Sequence, residues 1–516
     1  MLLGRALSLT AERHPERVAI AGERPLSYAE WDRRTNRLAR GLSGLGIERG
    51  DRVAVVAGNG EPAASVHLAC QKLGAGTVPL NVRYSPDELA YCVGDAAPKV
   101  LVCDEHTAAL ADDALTQLDP AQPPPIIHAG DELEALIGSQ PDGALDVAVA
   151  EQDVSVMLYT AGTTGRPKGV PRSHHAEVFA GLAHVTQARY SPAGESTLCA
   201  MPMYHTMGLR SLVSMVLIGG TTTFLPSFSP EAALTAIERE QLSALYLVPT
   251  AFWALLQEPG AADGCASVRK LAYAGAAMTE SLTTQLAEAF RPEVFINHYG
   301  STEVYTFAVE SDAIARPGSA GRPGLFTRLR LVEADPERRV APDEQVAPGE
   351  TGEIIASLAS DEAFAGYWQR PDANERALRD GWYFTGDLGE IDDEGNLRVS
   401  GRIDDMVISG GENVHPLEVE DALARCDGVD EVAVAGVPDD KWGHAVTAFV
   451  VVAGETSGED GARHIAEWTR AQSGLAAYKR PKRIVILDAL PKSPVGKILR
   501  RELVAGNYEP RGEATP

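Results

Sequence analysis

The chain has 516 residues, 44% of them hydrophobic and 23% charged, with a formal net charge of −26. That length exceeds what one hydrophobic core organises and sets an expectation of roughly two or three domains in a soluble globular protein. So negative a field excludes a general nucleic-acid binder, and no apolar run approaches the roughly eighteen residues of a membrane span. The start, Met1-Leu-Leu-Gly-Arg-Ala-Leu-Ser-Leu-Thr10, lacks a long apolar core behind a basic end, so no signal peptide is expected. Cys70, Cys92, Cys103, Cys199, Cys265 and Cys426 form no C-x-x-C pair. They read as reduced thiols of a cytoplasmic protein, with neither disulfides nor a zinc site.

Short apolar runs then alternate with amphipathic stretches. Residues 52–56 read as a strand, and 62–73 as a helix with Ala63, Val66, Ala69, Cys70 and Leu73 at helical spacing. Further strands are expected at 99–103, 154–159, 221–225, 244–248 and 270–273, and helices at 230–240 and 278–290. Strands alternating with helices over this length predict an α/β fold with helices on both sheet faces. Residues 119–125, rich in proline, read as a loop. From about Pro348 the pattern changes to short strands with turn signals, as at 392–396. A smaller α+β unit follows Asp404, with strands at 406–408 and 432–434 and Pro416 opening a helix through 417–424. The expected domains are therefore 1–403 and 404–516.

The strongest local signal is Tyr159-Thr-Ala-Gly-Thr-Thr-Gly-Arg-Pro-Lys-Gly169, which follows a strand. Gly162 and Gly165 let backbone N–H groups approach phosphate closely. Thr160, Thr163 and Thr164 supply hydroxyls, and Lys168 a charge. The loop is neither a Walker A motif nor a G-x-G-x-x-G fingerprint. Thr302 and Glu303 set a hydroxyl beside a carboxylate, which suits a hard cation such as Mg²⁺ at Glu303 and an α-phosphate at Thr302. Between Tyr478 and Val504 lie Lys479, Arg480, Lys482, Arg483, Lys492, Lys497, Arg500 and Arg501. An apolar strand at 484–487 interrupts this run, so it reads as a folded basic surface rather than a solvated tail.

Six segments in order resemble the acyl-adenylate-forming superfamily of acyl-CoA synthetases, peptide-synthetase adenylation domains and luciferases. The loop at 159–169 resembles its phosphate loop, and Asn297-His-Tyr-Gly-Ser-Thr-Glu303 its Y-G-x-T-E motif. Tyr383-Phe-Thr-Gly-Asp387 resembles the ribose motif, and Gly401-Arg-Ile-Asp404 the hinge. Ser409-Gly-Gly-Glu-Asn413 resembles the glycine turn, and Pro491-Lys-Ser-Pro-Val-Gly-Lys497 the segment of the catalytic lysine. The resemblance implies a large N-terminal domain of stacked α/β sheets with a distorted barrel, and a small mobile α+β C-terminal domain. It implies ATP, Mg²⁺ and coenzyme A, with Lys497, Thr302, Glu303 and His205 as catalytic residues. Tyr299 and Gly300, with Gly275, Ala276 and Ala277, would flank the adenine; Asp387 and Arg402 would take the ribose; Asp404 would be the hinge. Ala161 departs from the family's serine, so one hydroxyl to the leaving pyrophosphate is absent.

Coenzyme A is the expected acceptor, with no carrier domain anticipated after the small domain. Gly410 and Gly411 would pass beside the pantetheine arm. Tyr478 and Arg480, with Trp442 and Arg83, would meet its nucleotide end. His205 stands where amino-acid-activating domains carry an aspartate, so a substrate ammonium would be unpaired and amino acids are excluded. The stretches at 363–371 and 405–416 are similar to 4-chlorobenzoate- and benzoate-type CoA ligases. By that similarity Phe179, His205, Met207, Phe252, Ala276, Gly300 and Tyr305 line a pocket for an aromatic or small cyclic acid. A medium-chain fatty acid, or an acceptor other than coenzyme A, stays open, as does the assembly, a homodimer included.

Overall fold

The structure, a computed structural model, describes all residues except 119–122, 139, 161–165, 336–337, 410–411, 440, 453–457, 493–497 and 516; for Ile408 and Asn413 it describes the backbone alone. The chain packs as two units, Met1–Leu329 with Ala356–Tyr383, and Arg330–Ile355 with Phe384–Pro516. It passes from one to the other within the strands Leu329–Val332, Gly352–Ser357 and Trp382–Ile391. These units answer to packing. The domain boundary expected at Asp404 is taken up below as a proposal.

The first, larger unit is built on two α/β sheets. In one, the order is Ile126–His128, Val100–Cys103, Arg52–Val56, Gly76–Pro79, Val154–Thr160 and Lys168–Ser173, with only the last strand antiparallel. Its inner strands are buried almost throughout, which is why they read as unbroken apolar runs. The other sheet has nine strands. Val294–Tyr299, Lys270–Ala274, Ala244–Leu247, Ser196–Cys199, Thr221–Phe224 and Val18–Ala21 form its parallel centre. The helix Pro230–Glu240 starts behind Ser229, whose hydroxyl accepts from the Ala232 N–H. The helix expected from 278 begins at Glu280, because Thr279 serves as its cap and accepts from the Leu282 N–H.

In the second unit, Gly443–Val452 lies between Val429–Asp439, antiparallel, and Arg483–Ile486, parallel. The helices Pro416–Leu423 and Gly458–Gln472 bury Val419, Leu423, Ile465 and Ala466 in one core with Val434, Val446, Val450, Ile484 and Ile486. The described residues of the basic run are folded. Lys479 pairs with Glu418, Lys492 with Glu431, Arg483 with Glu513 and Arg500 with Glu420. All six cysteines are buried thiols. No helix among the described residues is long and apolar enough to cross a membrane.

Candidate active site

In parallel α/β sheets, ligands gather beyond the carboxyl ends of the strands. The expected nucleotide residues of the first unit leave such an edge. Ala274 pairs in register with His298, so Gly275 and Tyr299 follow at the same end of neighbouring strands. Gly275, Ala276 and Ala277 are exposed there. Tyr299 is half-buried, its ring tilted 58° to Phe307 at 5.1 Å. Gly300 has no room for a side chain: a Cβ would stand 2.1 Å from the Tyr305 carbonyl oxygen. His205 enters from the same edge, on the loop after the parallel strand Ser196–Cys199.

Lys168 and Glu303, 135 residues apart in sequence, are brought together around Tyr367, a residue outside both of their motifs. The buried Glu303 carboxylate accepts a hydrogen bond at Oε1 from the Tyr367 hydroxyl at 2.7 Å. Lys168 Nζ stands 4.2 Å from the centroid of the same ring. Burial pushes the Lys168 ammonium below its ordinary pKa, with the charge of Glu303 opposing the shift. The Thr160 hydroxyl, at the end of its strand, is buried without a hydrogen-bond partner among the described residues. Gly162, Thr163, Thr164 and Gly165 lie outside the described residues, as does Ala161.

Behind these groups is a buried charge cluster that sequence reasoning missed. Arg172 is fully buried; its Nη1 donates to the carbonyls of Thr302 at 3.1 Å, Glu303 at 3.4 Å and Glu362 at 3.0 Å. Its Nε pairs with Glu177, and its guanidinium lies 3.4 Å from the Tyr305 ring centroid. Arg210 pairs with Glu362 and reaches His298 and Thr306. Burial raises the Glu362 carboxyl, with Arg210 opposing.

The expected acyl residues divide. His205 is half-buried, with Nε2 lacking a partner among the described residues. Desolvation pushes its pKa down to about 4, so the ring is neutral at pH 7. Phe179 stacks on His175 at 4.3 Å and meets Phe326 edge-on at 5.0 Å. Met207 is buried in the first turn of Thr206–Ile218. Phe252 is sealed in the core, and Tyr305 is enclosed by Arg172, Arg210 and Glu177.

In the second unit, Asp387 and Arg402 face each other across antiparallel strands and pair at 2.6 Å. The Asp387 N–H donates to the Thr385 hydroxyl, which donates to the Ile354 carbonyl. Asp404 is exposed in the turn that follows. Trp442 lies under two ammonium groups, Lys441 at 4.7 Å and Lys482 at 5.0 Å. Burial lowers the Lys482 pKa, and repulsion from Arg480 and Lys441 lowers it further, so an anion bound there would relieve strain among like charges. Lys482 also donates to the Tyr478 carbonyl, drawing the Tyr478–Arg480 segment to the same place. Gly410, Gly411 and Lys497 lie outside the described residues.

A family model described as AMP-binding enzyme matches residues 7–368, and one described as AMP-binding enzyme C-terminal domain matches 418–497. The chain belongs to the AMP-binding enzyme family. Within it, a feruloyl-CoA synthase of Amycolatopsis sp is 37% identical over 96% of this chain and 95% of its own. A long-chain-fatty-acid–CoA ligase of Mycobacterium tuberculosis is 33% identical, over 93% of this chain and 92% of its own. The solved structure of the anthranilate CoA ligase AuaEII in complex with anthranoyl-AMP aligns with a TM-score of 0.89 at 25% identity, covering 98% of this chain and 97% of that one. The AMP-binding enzyme match includes Lys168, Tyr299 to Glu303 and Tyr367, the residues assembled around the strand ends.

Proposed function

We propose that this AMP-binding enzyme is an AMP-forming acyl-CoA ligase. A carboxylate attacks the α-phosphorus of ATP, pyrophosphate leaves, and the acyl adenylate then yields its acyl group to the thiol of coenzyme A as AMP departs. The observation that carries the reading is the set Lys168, Tyr367 and Glu303: a cation and a carboxylate held half-desolvated around one tyrosine. The phosphates of ATP need positive charge and a metal-bearing oxygen of this kind.

Glu303 is the residue that would hold Mg²⁺. A buried carboxylate next in sequence to Thr302 fits that ion, which keeps water and substrate phosphates as its other ligands. When bound, it supplies charge that offsets the developing negative charge on phosphate. Lys168 and Thr160, with Thr163 and Thr164, serve the phosphates that leave, and Thr302 the one that stays. Tyr299 offers its ring to the adenine, with Gly275, Ala276 and Ala277 opposite; Asp387 and Arg402 take the ribose hydroxyls. Lys497 neutralises the charge where carboxylate meets α-phosphate. Residues 404–516 turn as a body about Asp404 between the two half-reactions, and Gly410 and Gly411 then border the pantetheine arm. Trp442, Tyr478 and Arg480, with Lys482, receive the nucleotide end of coenzyme A.

The acid is aromatic or small and cyclic, which the names of the feruloyl and anthranilate relatives favour. The neutral His205 beside Met207 suits such an uncharged ring. The fatty-acid relative supports a second reading, a fatty acyl substrate. The enzyme is placed in the cytoplasm, as a monomer or a homodimer. Pyrophosphate release with benzoate, ferulate, anthranilate, octanoate and palmitate, with and without coenzyme A, tests the acid and the acceptor. The expected result is a higher kcat/KM for an aryl acid than for palmitate, and thioester whenever coenzyme A is present. A fatty acid surpassing every aryl acid moves the substrate to the second reading; adenylate without thioester removes coenzyme A.

A further inference from the structure

Tyr367 stands between the charged groups of the site and belongs to neither of their motifs. It is 5% exposed. Its hydroxyl serves Glu303 Oε1 while its ring face serves the Lys168 ammonium. Among the described residues, Lys168 and Glu303 form no ion pair with each other, and Glu303 Oε2 has no hydrogen-bond partner. In a partly desolvated site, a lysine and a glutamate this close attract strongly. Brought into contact they would neutralise one another, and neither would remain available to a nucleotide. The tyrosine satisfies each with a different part of one rigid side chain.

The segment around it is fixed at both ends. The Trp368 N–H donates to the Gly169 carbonyl at 2.9 Å, next to Lys168, and the Phe364 N–H donates to the Glu303 carbonyl at 2.8 Å. Asn374 clamps the Tyr367 backbone, accepting from its N–H at 2.7 Å and donating to its carbonyl at 3.4 Å. Gly366, at φ +132°, makes the approach: a Cβ there would stand 3.1 Å from Asn374 Oδ1. So the main chain that carries Tyr367 is anchored beside each of the two groups it separates.

We infer that Tyr367 is a positioning residue that keeps Glu303 and Lys168 from collapsing into an ion pair, tying one oxygen of Glu303 so that the other faces a hard divalent cation. The inference rests on the proposed use of ATP with Mg²⁺ at Glu303.

Binding of ATP to the full-length protein, titrated by calorimetry at a series of Mg²⁺ concentrations without acid or coenzyme A, tests it. Tyr367→Phe keeps the ring beneath Lys168 and removes only the hydroxyl. It is expected to raise the Mg²⁺ needed for half-maximal ATP binding about tenfold, the loss of one hydrogen bond to a charged group. Its ATP affinity at saturating Mg²⁺ and its Tm should stay at the parental values. Tyr367→Leu removes the spacer as well and is expected to weaken ATP binding even at saturating Mg²⁺. Parental Mg²⁺ dependence in Tyr367→Phe overturns the inference and leaves the ligase reading standing. So does a Tm drop with uniformly weaker binding, the mark of a merely structural role. Failure of the parent itself to bind ATP in a Mg²⁺-dependent way overturns the reading of the site, and the inference with it.

Discussion

Acid should weaken this fold well before its carboxylates titrate. His67, His174, His184 and His298 are each at most 2% exposed, all in the first unit. Burial pushes His67 down to about 3 and His174 to about 4. Burial also holds His184 and His298 well below the ordinary range, with Arg210 repelling both. An unfolded chain protonates each near 6.5. Between that value and the folded pKa the unfolded state binds protons that the folded state refuses, so stability present above pH 6.5 is lost as the pH falls. Going from pH 7.5 to 5.5 costs about 1.4 kcal/mol per histidine and about 6 kcal/mol for the four. His184 and His298 lie 5.0 Å apart, ring to ring, but their mutual repulsion only lowers the folded pKa values further and leaves that cost unchanged. Urea unfolding at 25 °C, followed by circular dichroism at pH 7.5, 6.5 and 5.5, measures the slope. His174 supplies the control. Neither of its ring nitrogens has a hydrogen-bond partner among the described residues, so His174→Leu removes a proton site without stranding a described group. That variant should show about 1.4 kcal/mol less pH dependence and gain on the parent as the pH drops. A stability that is flat from pH 7.5 to 5.5, or an unchanged slope in the variant, refutes the reasoning.

The two half-reactions make further demands. Lys497→Ala should lower ATP-dependent turnover on the order of 100- to 1000-fold yet convert supplied acyl adenylate and coenzyme A at near the parental rate; an equal fall in both steps, seen in single turnovers, assigns the lysine another task. Trp442→Ala should raise the KM for coenzyme A roughly tenfold, the worth of one aromatic–base stack, with the KM for ATP unchanged; a shift in both constants speaks against a separate coenzyme A surface around Lys441 and Lys482.

What could be read from the sequence follows from how each feature is encoded. The strands at 52–56 and 270–273 were legible because both sheet faces are covered, so apolar character is continuous. Element ends were less so. The strand expected through 248 stops at Leu247, because Val248 already caps the helix Pro249–Leu256. The loop at 159–169 and the segment around Thr302 and Glu303 announce themselves through glycines and hydroxyls at fixed spacing. Tyr367 does not. A tyrosine in Ala363-Phe-Ala-Gly-Tyr-Trp368 has no local mark of its task, since that task depends on Glu303, 64 residues earlier, and on Lys168, at the start of a distant strand.

Arg172 was legible in principle, through a broken rule rather than a motif. Along Lys168–Ser173, alternation puts Lys168, Val170 and Arg172 on one face, and Val170 and Arg172 are both buried. A charged residue at an inward position of a strand is costly unless it is fully partnered. Places where local pattern and global fold disagree are where function or strain is expected. In the structure Arg172 is partnered at Nε and Nη1, while Nη2 has no hydrogen-bond partner among the described residues. Arg172 gathers the carbonyls of Thr302, Glu303 and Glu362, and sets its guanidinium over the Tyr305 ring. The strand that carries Lys168 thus uses its own buried arginine to hold the loop that carries Glu303. Cation and carboxylate are located relative to each other by one strand and one tyrosine, with no ion pair between them among the described residues, which on the proposed reading leaves both charges for the nucleotide.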